Sequence, residues 1–395
     1  MLFFSLGLGG SDGAIVVDMK HFQQFSMDNS THVATIGAGT LLGDVTTRLQ
    51  NVGRVMAHGT CPDVGAGGHF TIGGLGPTSR QWGLALDHIE EAEVVLANGS
   101  IVRASTTQNQ DVLFAIKGAA SSFGIVTEFK VRTHPELGKA IQYSYTFDFG
   151  NTTSRAQLFK NWQMFISDPK LSRKFASVLV VAEKSIVVSG TYFGSQDEFN
   201  KLSLVQHLGS NPVNNTITAL DGWAGTLGHD AEDLITSTAG GVPTWFYAKS
   251  LSFTPTSLIP SSGIDALFHY LDTANKGTPT WFIIFDLAGG AVNDPPMNAT
   301  SYAHRDALFW LQSYAMNLVG PISETTINFL DGVDRVIGSS LPDNDLGAYP
   351  GYVDLYLQNP QKEYWGVNLA QLQEIKVRID PGDVFHNPQS VQAKG

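Results

Sequence analysis

Cysteine and basic charge are the two things that this chain of 395 residues has least of. Its single cysteine, Cys61, excludes an intrachain disulfide and a structural zinc site built from several cysteines. Lysine and arginine number 24 against 36 aspartates and glutamates, which gives a formal charge of −12. So acidic a chain has no electrostatic basis for binding a phosphate backbone or an anionic lipid surface. We therefore expect neither nucleic acid nor a membrane as a partner.

Long apolar runs are also missing. The longest, such as 281–285 and 94–97, have the length of a strand, so no segment is predicted to span a bilayer. Hydrophobic residues make up 43% and charged residues 15%, the balance of a globular protein rather than a disordered one. The length predicts two or three domains.

Two signals about targeting disagree. The first residues, 1–7, are apolar but lack a basic segment, so we predict no signal peptide in this chain. Five N-x-S/T sequons nevertheless indicate a secretory lineage, and we expect the full-length protein to be a secreted glycoprotein. The sequons are at Asn29, Asn98, Asn151, Asn214 and Asn298.

The pattern of predicted secondary structure changes near residue 138. Before it, short apolar segments with Gly-rich turns between them predict strands, and Asn98-Gly99 between two such segments predicts a hairpin. We expect strands at 14–18, 33–36, 93–97 and 100–103, and helices at 41–52 and 111–116.

Between 139 and 355, strand and helix patterns are interleaved, which predicts an α+β fold with an antiparallel sheet covered by helices. Residues 356–395 begin with a helix pattern that includes Leu369, Leu372 and Ile375, and Asp380-Pro381-Gly382 ends it. In the middle region we expect strands at 141–147, 177–181, 186–193, 245–251, 280–288 and 348–356, and helices at 263–275 and 303–318.

The densest chemical signal is the segment 58–76, which contains seven glycines. Bare backbone permits close approach, and its N–H groups could cradle an anion or bond a ring edge. The spacing is not that of a dinucleotide-binding fingerprint or a Walker A loop, so a tight glycine corner without a ligand remains an alternative. For Cys61 three interpretations are open: a buried small hydrophobe, a nucleophile with His58 or His69 as base, and attachment of a cofactor through sulfur.

The run Gly-Thr-Cys-Pro-x-Val-Gly-x-Gly-Gly-His at 59–69 resembles the berberine-bridge-enzyme family of flavoproteins. These are FAD-linked oxidases of the vanillyl-alcohol-oxidase superfamily with a PCMH-type FAD-binding domain. Within the family the chain most resembles the fungal oligosaccharide oxidases. The turn at 117–126 and the tail at 364–391 agree, and the likeness extends over 4–391, more loosely in 150–240.

The resemblance implies a flavin domain at 1–138, a substrate domain at 139–355 and a C-terminal segment, 356–395, that packs back on the flavin domain. It also implies FAD linked through the sulfur of Cys61. The second link of the family, through a histidine upstream of the turn Gly7–Gly13, would fall at Met1, so we expect an N-terminally truncated chain that lacks this link and the first lobe. Other implied flavin contacts are Thr60, Val64, Gly65, Gly67, Gly68, His69, Gly73, Gly74, Gly124, Ile125 and Val126.

The substrate side offers two candidate catalytic residues. The run 280–286 reads as an apolar strand that ends in Asp286, and the two-residue period of a strand puts Phe282, Ile284 and Asp286 on one face. An aspartate there could equally face water. Tyr352 alone would read as a packed strand aromatic. The resemblance implies instead that Tyr352 is the base and that Asp286 supports it.

Four further residues are candidates for substrate contact: Gln312, Trp281, Ile284 and Thr244. Gln312 matches a sugar-contacting glutamine, although an ordinary surface amide on a helix is an alternative. Ile284 replaces a polar amide of the sugar oxidases, and Thr244 replaces an expected carboxylate. Since sugar hydroxyls need polar partners, these two changes predict a drier pocket.

The sequence thus predicts two-electron oxidation of an alcohol, with FAD as cofactor and no metal. The favoured substrate is the anomeric hydroxyl of a mono- or oligosaccharide, giving a lactone and hydrogen peroxide. Val64, at a position that resembles an oxygen gate, favours O2 as acceptor. The alternatives are a flavoenzyme of secondary metabolism with a less polar substrate, an inactive fragment and, more distantly, a Cys-His hydrolase. We expect a monomer.

Overall fold

The computed structural model describes residues 13, 15–222, 244–278, 280–341 and 346–393, and most of their strands belong to two antiparallel sheets. The strands are β1 Phe25–Asp28, β2 Val33–Gly37, β3 Arg54–Val55, β4 Ile89–Val95, β5 Ile101–Ser105, β6 Ile125–Arg132, β7 His134–Pro135, β8 Lys139–Asp148, β9 Val178–Val181, β10 Ser185–Tyr192, β11 Asn214–Asp221, β12 Trp245–Phe253, β13 Trp281–Leu287 and β14 Phe309–Asn317. The helices are α1 Leu42–Gln50, α2 Ala66–Ile72, α3 Ser79–Trp82, α4 Gln110–Ala119, α5 Thr152–Ile166, α6 Gln196–Asn200, α7 Leu204–Leu208, α8 Ser261–Thr273, α9 Glu324–Gly338, α10 Pro360–Trp365 and α11 Leu369–Ile379.

The chain divides into two compact units. The first takes the described parts of Met1–Leu137, Gly290–Arg305 and Tyr356–Gly395, and the second takes those of Gly138–Gly289 and Asp306–Leu355. The expected boundaries therefore differ at one place, because 290–305 belongs to the first unit.

The inserted segment 290–305 is tied to α4 by hydrogen bonds. The amide of Ser301 donates to the carbonyl of Phe114 (3.2 Å), and the Ser301 hydroxyl donates to the carbonyl of Ala115 (3.1 Å). The amide of Tyr302 donates to the carbonyl of Lys117 (3.2 Å). No local pattern in 290–305 predicts these long-range contacts. The sequence alone therefore places the segment within the substrate domain at 139–355.

The first unit contains a five-stranded sheet in the order β1-β2-β6-β4-β5. The predicted Asn98-Gly99 hairpin joins β4 to β5: Gly99 has φ +81°, and the amide of Leu96 donates to the carbonyl of Ser100. The strand expected at 14–18 is wrong. Its described residues join no strand of the described chain, and Ile15 is 91% exposed.

Helix α11 and the tail after it are held by a buried ammonium group. Lys376 Nζ donates to the carbonyl of Ser122 (2.8 Å), to Asp380 Oδ2 (2.6 Å) and to the carbonyl of Phe385 (2.8 Å). Lys376 and Asp380 are both fully buried. A lysine at this depth needs such partners, so the ion pair holds the tail in the first unit.

The second unit contains a seven-stranded sheet in the order β11-β8-β10-β9-β13-β14-β12, in which every neighbouring pair is antiparallel. Helices α5, α8 and α9 cover one face. The Phe159 ring packs edge-on to Phe285 at 4.5 Å, and Phe329 packs edge-on to Trp281 at 5.2 Å. The expected antiparallel sheet with helices over it is confirmed.

Two expectations in this unit are wrong. Residues 303–318 were expected to be a helix, but β14 lies there, in the interior of the sheet. Because both faces of an interior strand are buried, its first seven residues are all buried and show no period of two. Residues 348–356 were expected to be a strand but are irregular, and Pro350-Gly351 forms a turn there.

Candidate functional site

Cys61 lies in a loop that is fixed to the start of α1. The amide of Leu42 donates to the carbonyl of Val64 (2.9 Å), and the amide of Gly43 donates to the carbonyl of Pro62 (3.0 Å). On the far side, the amide of Ala66 donates to the carbonyl of Thr40 (2.8 Å). Cys61 itself is half-buried. The loop therefore holds a reachable thiol on a constrained backbone.

Two histidines clamp the peptide that precedes this loop. His58 Nδ1 lies 2.7 Å from the carbonyl oxygen of Gly59, and the amide of Gly59 donates to His69 Nε2 (2.8 Å). A carbonyl can only accept, so the proton of a neutral His58 is on Nδ1, and its Nε2 lies 3.2 Å from the hydroxyl oxygen of Thr46. The amide of Gly59 can only donate, so Nε2 of a neutral His69 accepts and the proton of His69 is on Nδ1.

Both imidazoles are neutral near pH 7. Burial lowers the pKa of His58 to about 4 and that of His69 to about 3. The nitrogen of His69 that could accept a proton is already bonded to an amide. Neither histidine is therefore set up as a cationic partner for a thiolate, which speaks against a Cys-His nucleophile at Cys61.

The glycines around Cys61 divide into two groups. A Cβ at Gly76 would lie 1.8 Å from the carbonyl oxygen of His58, and one at Gly74 would lie 2.4 Å from the Cβ of Ala85. Those glycines are required by packing within the protein. A Cβ at Gly65 or Gly68 would meet nothing within 4 Å.

A flavin fits this distribution of space. Gly65 and Gly68 leave open space beside the loop that carries the half-buried thiol of Cys61, and both clamping histidines are uncharged. A large, flat, largely apolar ring can lie against such a surface, and its edge can reach backbone N–H groups. The described residues therefore fit the ring end of an FAD.

The remaining predicted flavin contacts lie at several places in the first unit. Gly124 is buried, and a Cβ there would lie 2.6 Å from Val94 Cγ1, so this glycine has a packing reason of its own. Ile125 and Val126 begin β6. The other predicted contacts, Thr60, Val64, Gly67 and Gly73, lie in the Cys61 loop or at the two ends of α2, while residues 7–12 of the predicted upstream turn and Met1 are outside the described residues.

The face of the second unit's sheet opposite the helices carries two of the four predicted substrate residues, Ile284 and Gln312. Ile284 on β13 is directly opposite Gln312 on β14, which is opposite Ser250 on β12. Residues opposite each other point to the same face, so these three side chains form a row. Gln312 is 2% exposed, and its Oε1 accepts from the hydroxyl of Tyr314 (2.6 Å). Gln312 is thus a buried strand amide with a fixed orientation.

Tyr352 lies over this face on the irregular segment. Its ring is edge-on to that of Tyr314 at 5.9 Å and is 5.1 Å from that of Tyr349. The amide of Tyr349 donates to Ser250 Oγ (2.9 Å), which anchors the segment to β12. The structure therefore brings Tyr352 against Tyr314, whose hydroxyl is bonded to Gln312 in the neighbouring row.

Asp286 lies on the same face, one row away, as the two-residue period predicted. It is half-buried and opposite Trp310 of β14. The ring of Trp310 is edge-on to that of Tyr349 at 5.4 Å, and Tyr349 contacts Tyr352. Aromatic contacts thus link the positions of Asp286 and Tyr352.

Trp281 and Thr244 do not join this group. Trp281 points to the helix-covered face, where its Nε1 donates to Glu183 Oε2 (3.0 Å) and its ring meets Phe329. An odd-numbered residue of β13 faces away from Ile284, so the structure does not bring Trp281 to the row of Ile284 and Gln312, and its contact with substrate stays a prediction. Thr244 precedes the first residue of β12 and is half-buried.

The sequence reasoning missed Tyr314, Tyr349 and Ser250. Tyr314 and Gln312 were placed on a helix, where residues two apart do not share a face. On a strand they do, but the continuous burial of β14 leaves no alternation in the sequence that would have revealed the pair. Within the described residues, no helix is long and apolar enough to cross a membrane, and no group of His, Cys, Asp and Glu is arranged to hold a metal ion.

Comparison with protein families gives two matches. A model described as an FAD binding domain matches residues 4–105, and one described as berberine and berberine like matches residues 348–392.

Curated relatives match nearly the whole chain. The FAD-linked oxidoreductase sorD of Penicillium rubens is 40% identical over 97% of this chain and 82% of its own length. The xylooligosaccharide oxidase of Thermothelomyces thermophilus is 34% identical over 99% of this chain and 80% of its own.

Solved structures match as well. The xylooligosaccharide oxidase from Myceliophthora thermophila C1, in complex with xylobiose, has a TM-score of 0.87 at 32% identity, covering 97% of this chain and 82% of that one. The glucooligosaccharide oxidase from Acremonium strictum, described with a 6-S-cysteinyl, 8α-N1-histidyl FAD, has a TM-score of 0.86 at 30% identity with the same coverage.

Proposed function

Because this chain belongs to the berberine-bridge-enzyme-like family of FAD-linked oxidoreductases, we propose that it oxidises an alcohol by two electrons. The observation that carries the proposal is the group on the sheet face opposite the helices, where Tyr352 packs against Tyr314 and the hydroxyl of Tyr314 orients the buried amide of Gln312. A phenol in one cluster with an oriented amide is suited to receive and orient a hydroxyl group.

The first unit binds FAD, and Cys61 tethers it by a thioether. The clamped peptide of Gly59 and the hydrogen bonds at Val64 and Pro62 hold the backbone of the thiol loop, and the space beside Gly65 and Gly68 receives the ring. When bound, FAD would supply the redox chemistry: the hydride of the alcohol carbon and the proton of its hydroxyl group would end on O2 as hydrogen peroxide.

The second unit binds the alcohol and removes its proton. The hydroxyl of Tyr314 fixes the orientation of Gln312, and the Gln312 amide forms a hydrogen bond with the substrate as donor or acceptor. Tyr352 takes the hydroxyl proton as the carbon loses hydride, so that a CH–OH group becomes C=O. Asp286 lies on the same sheet face as Ile284, and its proposed role is to support Tyr352 as the base. For an anomeric hydroxyl the product is a lactone.

The favoured substrate is a mono- or oligosaccharide. Its support is that several relatives are named as oligosaccharide or carbohydrate oxidases, among them those acting on xylo-, chito- and glucooligosaccharides. An ordered amide at Gln312 and the half-buried carboxylate of Asp286 are groups that sugar hydroxyls require.

A less polar alcohol is the second candidate, and the row on the sheet face favours it. Ile284 is 4% exposed and is directly opposite Gln312, while Phe282, opposite Tyr314, continues the apolar surface. The relative at 40% identity is named only as an FAD-linked oxidoreductase, whereas the sugar oxidases reach 32–34%.

The test combines flavin content with a substrate panel. Acid-precipitated protein should retain yellow colour, and Cys61→Ala should release it into the supernatant. Peroxide formation is then measured with xylobiose, cellobiose, N-acetylchitobiose, benzyl alcohol and cinnamyl alcohol. Tyr352→Phe should lower kcat on the accepted substrate by about 10²-fold or more while flavin remains bound. A colourless protein that forms no peroxide would support the inactive-fragment alternative.

We also infer that the protein is secreted and glycosylated. Asn98 and Asn151 use their side-chain oxygens to accept from the amides of Ser100 and Ser154, which leaves each amide nitrogen available for a glycan. A shift in mass after treatment with an N-glycosidase would test this.

A further inference from the structure

The segment that carries Tyr352 wraps around β12, the edge strand of the described sheet. On the sheet face opposite the helices, the amides of Gly347 and Tyr349 donate to Ser252 Oγ (3.1 Å) and Ser250 Oγ (2.9 Å). Asp354, two residues after Tyr352, is bound to the side chains of Tyr247 and Lys249, which lie on the other face of β12. Since neighbouring residues of a strand point to opposite faces, β12 holds this segment from both sides.

The second anchor is a buried ion cluster. Lys249 Nζ donates to Asp354 Oδ2 (2.6 Å) and to Asp331 Oδ1 (2.9 Å) and lies 3.4 Å from Asp334 Oδ2. The hydroxyl of Tyr247 donates to Asp354 Oδ1 (2.8 Å). Both carboxylate oxygens of Asp354, which is 2% exposed, are therefore bound to β12.

The electrostatics of the cluster keep Lys249 charged. Burial by itself lowers the pKa of Lys249, but the surrounding carboxylates of Asp334 and Asp354 outweigh it and raise that pKa above its ordinary value. Burial raises the pKa of Asp334 to about 7. One ammonium group thus serves three carboxyl groups, two from α9 and one from the segment of Tyr352.

Joining a loop to a strand through such a cluster costs free energy of desolvation. A buried ion pair is often no more stable than apolar residues of similar size, because both ions lose their hydration. What it adds is direction and distance, since the oxygens of Asp354 must meet both Lys249 and Tyr247. A catalytic base needs that kind of constraint, because misplacement by about 1 Å can cost on the order of 10²-fold in rate.

We propose that Lys249 and Asp354 are positioning residues that hold Tyr352 against Tyr314, the residue that orients Gln312. The inference rests on the proposed role of Tyr352 as base. Neither residue touches the reacting atoms in this assignment. Each acts through the backbone of 352–354.

The test variant is Asp354→Asn in the full chain. Lys249 keeps Asp331 and Asp334 as partners, so no unpaired ammonium is left and the fold should persist. The amide oxygen of the new side chain can still accept from Tyr247. The matched control is Asp265→Asn, which removes the same charge from an exposed ion pair with Lys160 in the same unit. Lys249→Arg, which keeps the charge, should retain more activity than Lys249→Met.

Two measurements decide the outcome. On the accepted substrate of the five-member panel, Asp354→Asn should lower kcat on the order of 10-fold to 100-fold with KM and flavin content unchanged. Amide hydrogen exchange, which requires no turnover, should become faster in the peptide covering 346–356. Asp265→Asn should change neither quantity.

The two proposals can fail separately. If Tyr352→Phe is inactive while Asp354→Asn keeps both its kcat and its slow exchange, the positioning role is overturned and the proposed function stands. If Tyr352→Phe retains full activity, the base is another group and the positioning role falls with it. If no member of the panel is oxidised, the exchange measurement decides alone. Unchanged amide hydrogen exchange in 346–356 of Asp354→Asn would then overturn the positioning role of Lys249 and Asp354.

Discussion

Gly68 offers a direct test of where a flavin lies in the first unit. It is an exposed residue within α2, and a Cβ at this position would meet no atom within 4 Å. The series Gly68→Ala and Gly68→Leu therefore places a growing side chain into space that the protein itself does not use. We expect folding to persist and flavin incorporation to fall stepwise along the series.

The expected magnitudes follow from the geometry. Replacing a helical glycine by alanine without a clash should stabilise the fold by about 0.5–1 kcal/mol, because the unfolded chain loses freedom. At Gly76, by contrast, a Cβ would lie 1.8 Å from the carbonyl oxygen of His58. Backbone atoms there must shift, so Gly76→Ala should destabilise the protein by about 1–3 kcal/mol or more.

The assay is a paired one: thermal unfolding, and the ratio of visible flavin absorbance to protein absorbance after purification. Gly68→Leu should unfold near the wild-type temperature with little flavin. Full flavin loading in a well-folded Gly68→Leu would refute the assignment of this space to the cofactor. A Gly76→Ala variant as stable as the wild type would refute the packing argument itself.

Three other outcomes are expected. Lys376→Met, which leaves the buried Asp380 without its cation, should lower the free energy of unfolding by about 3–5 kcal/mol in a urea titration, and a loss below about 1 kcal/mol would contradict the buried pair. Ile284→Gln, which adds an amide to the substrate face, should raise kcat/KM for xylobiose relative to benzyl alcohol by about tenfold, whereas an unchanged ratio would remove Ile284 from the specificity argument. Burial lowers the pKa of His58 and His69 to about 4 and 3, so the unfolded state binds protons first as pH falls below about 6.5. The free energy of unfolding should then fall by about 1.4 kcal/mol per histidine per pH unit down to those values. An unfolding midpoint that depends on pH equally in the wild type and in a His58→Gln variant over that window would contradict this.

Local patterns were sufficient for part of the fold. The Asn98-Gly99 hairpin and the helices α8 and α11 were predicted because turn chemistry and helical spacing act over a few residues. The shared face of Ile284 and Asp286 was predicted for the same reason, since a strand alternates whatever it packs against.

Other features depended on neighbours distant in sequence. Gln312 was placed on a helix because an interior strand buried on both faces has no alternation to detect. Trp281 is predicted as a substrate contact, but its position on β13 puts it on the helix-covered side, where its ring packs against Phe329. Tyr352 was expected on a strand but lies on an irregular segment whose shape is set by its bonds to β12.

The amino-acid sequence by itself determined the family, the thiol loop with its glycines, and the residues from which an oxidase site could be built. It did so because those signals are contiguous and their chemistry belongs to the residue types. Only the tertiary structure decided which glycines leave open space, which face each strand residue takes, and that Lys249 and Asp354, 105 residues apart, meet in one buried cluster. Such pairings depend on how the chain folds back on itself, because a buried charge is stable only beside the partner that packing brings to it.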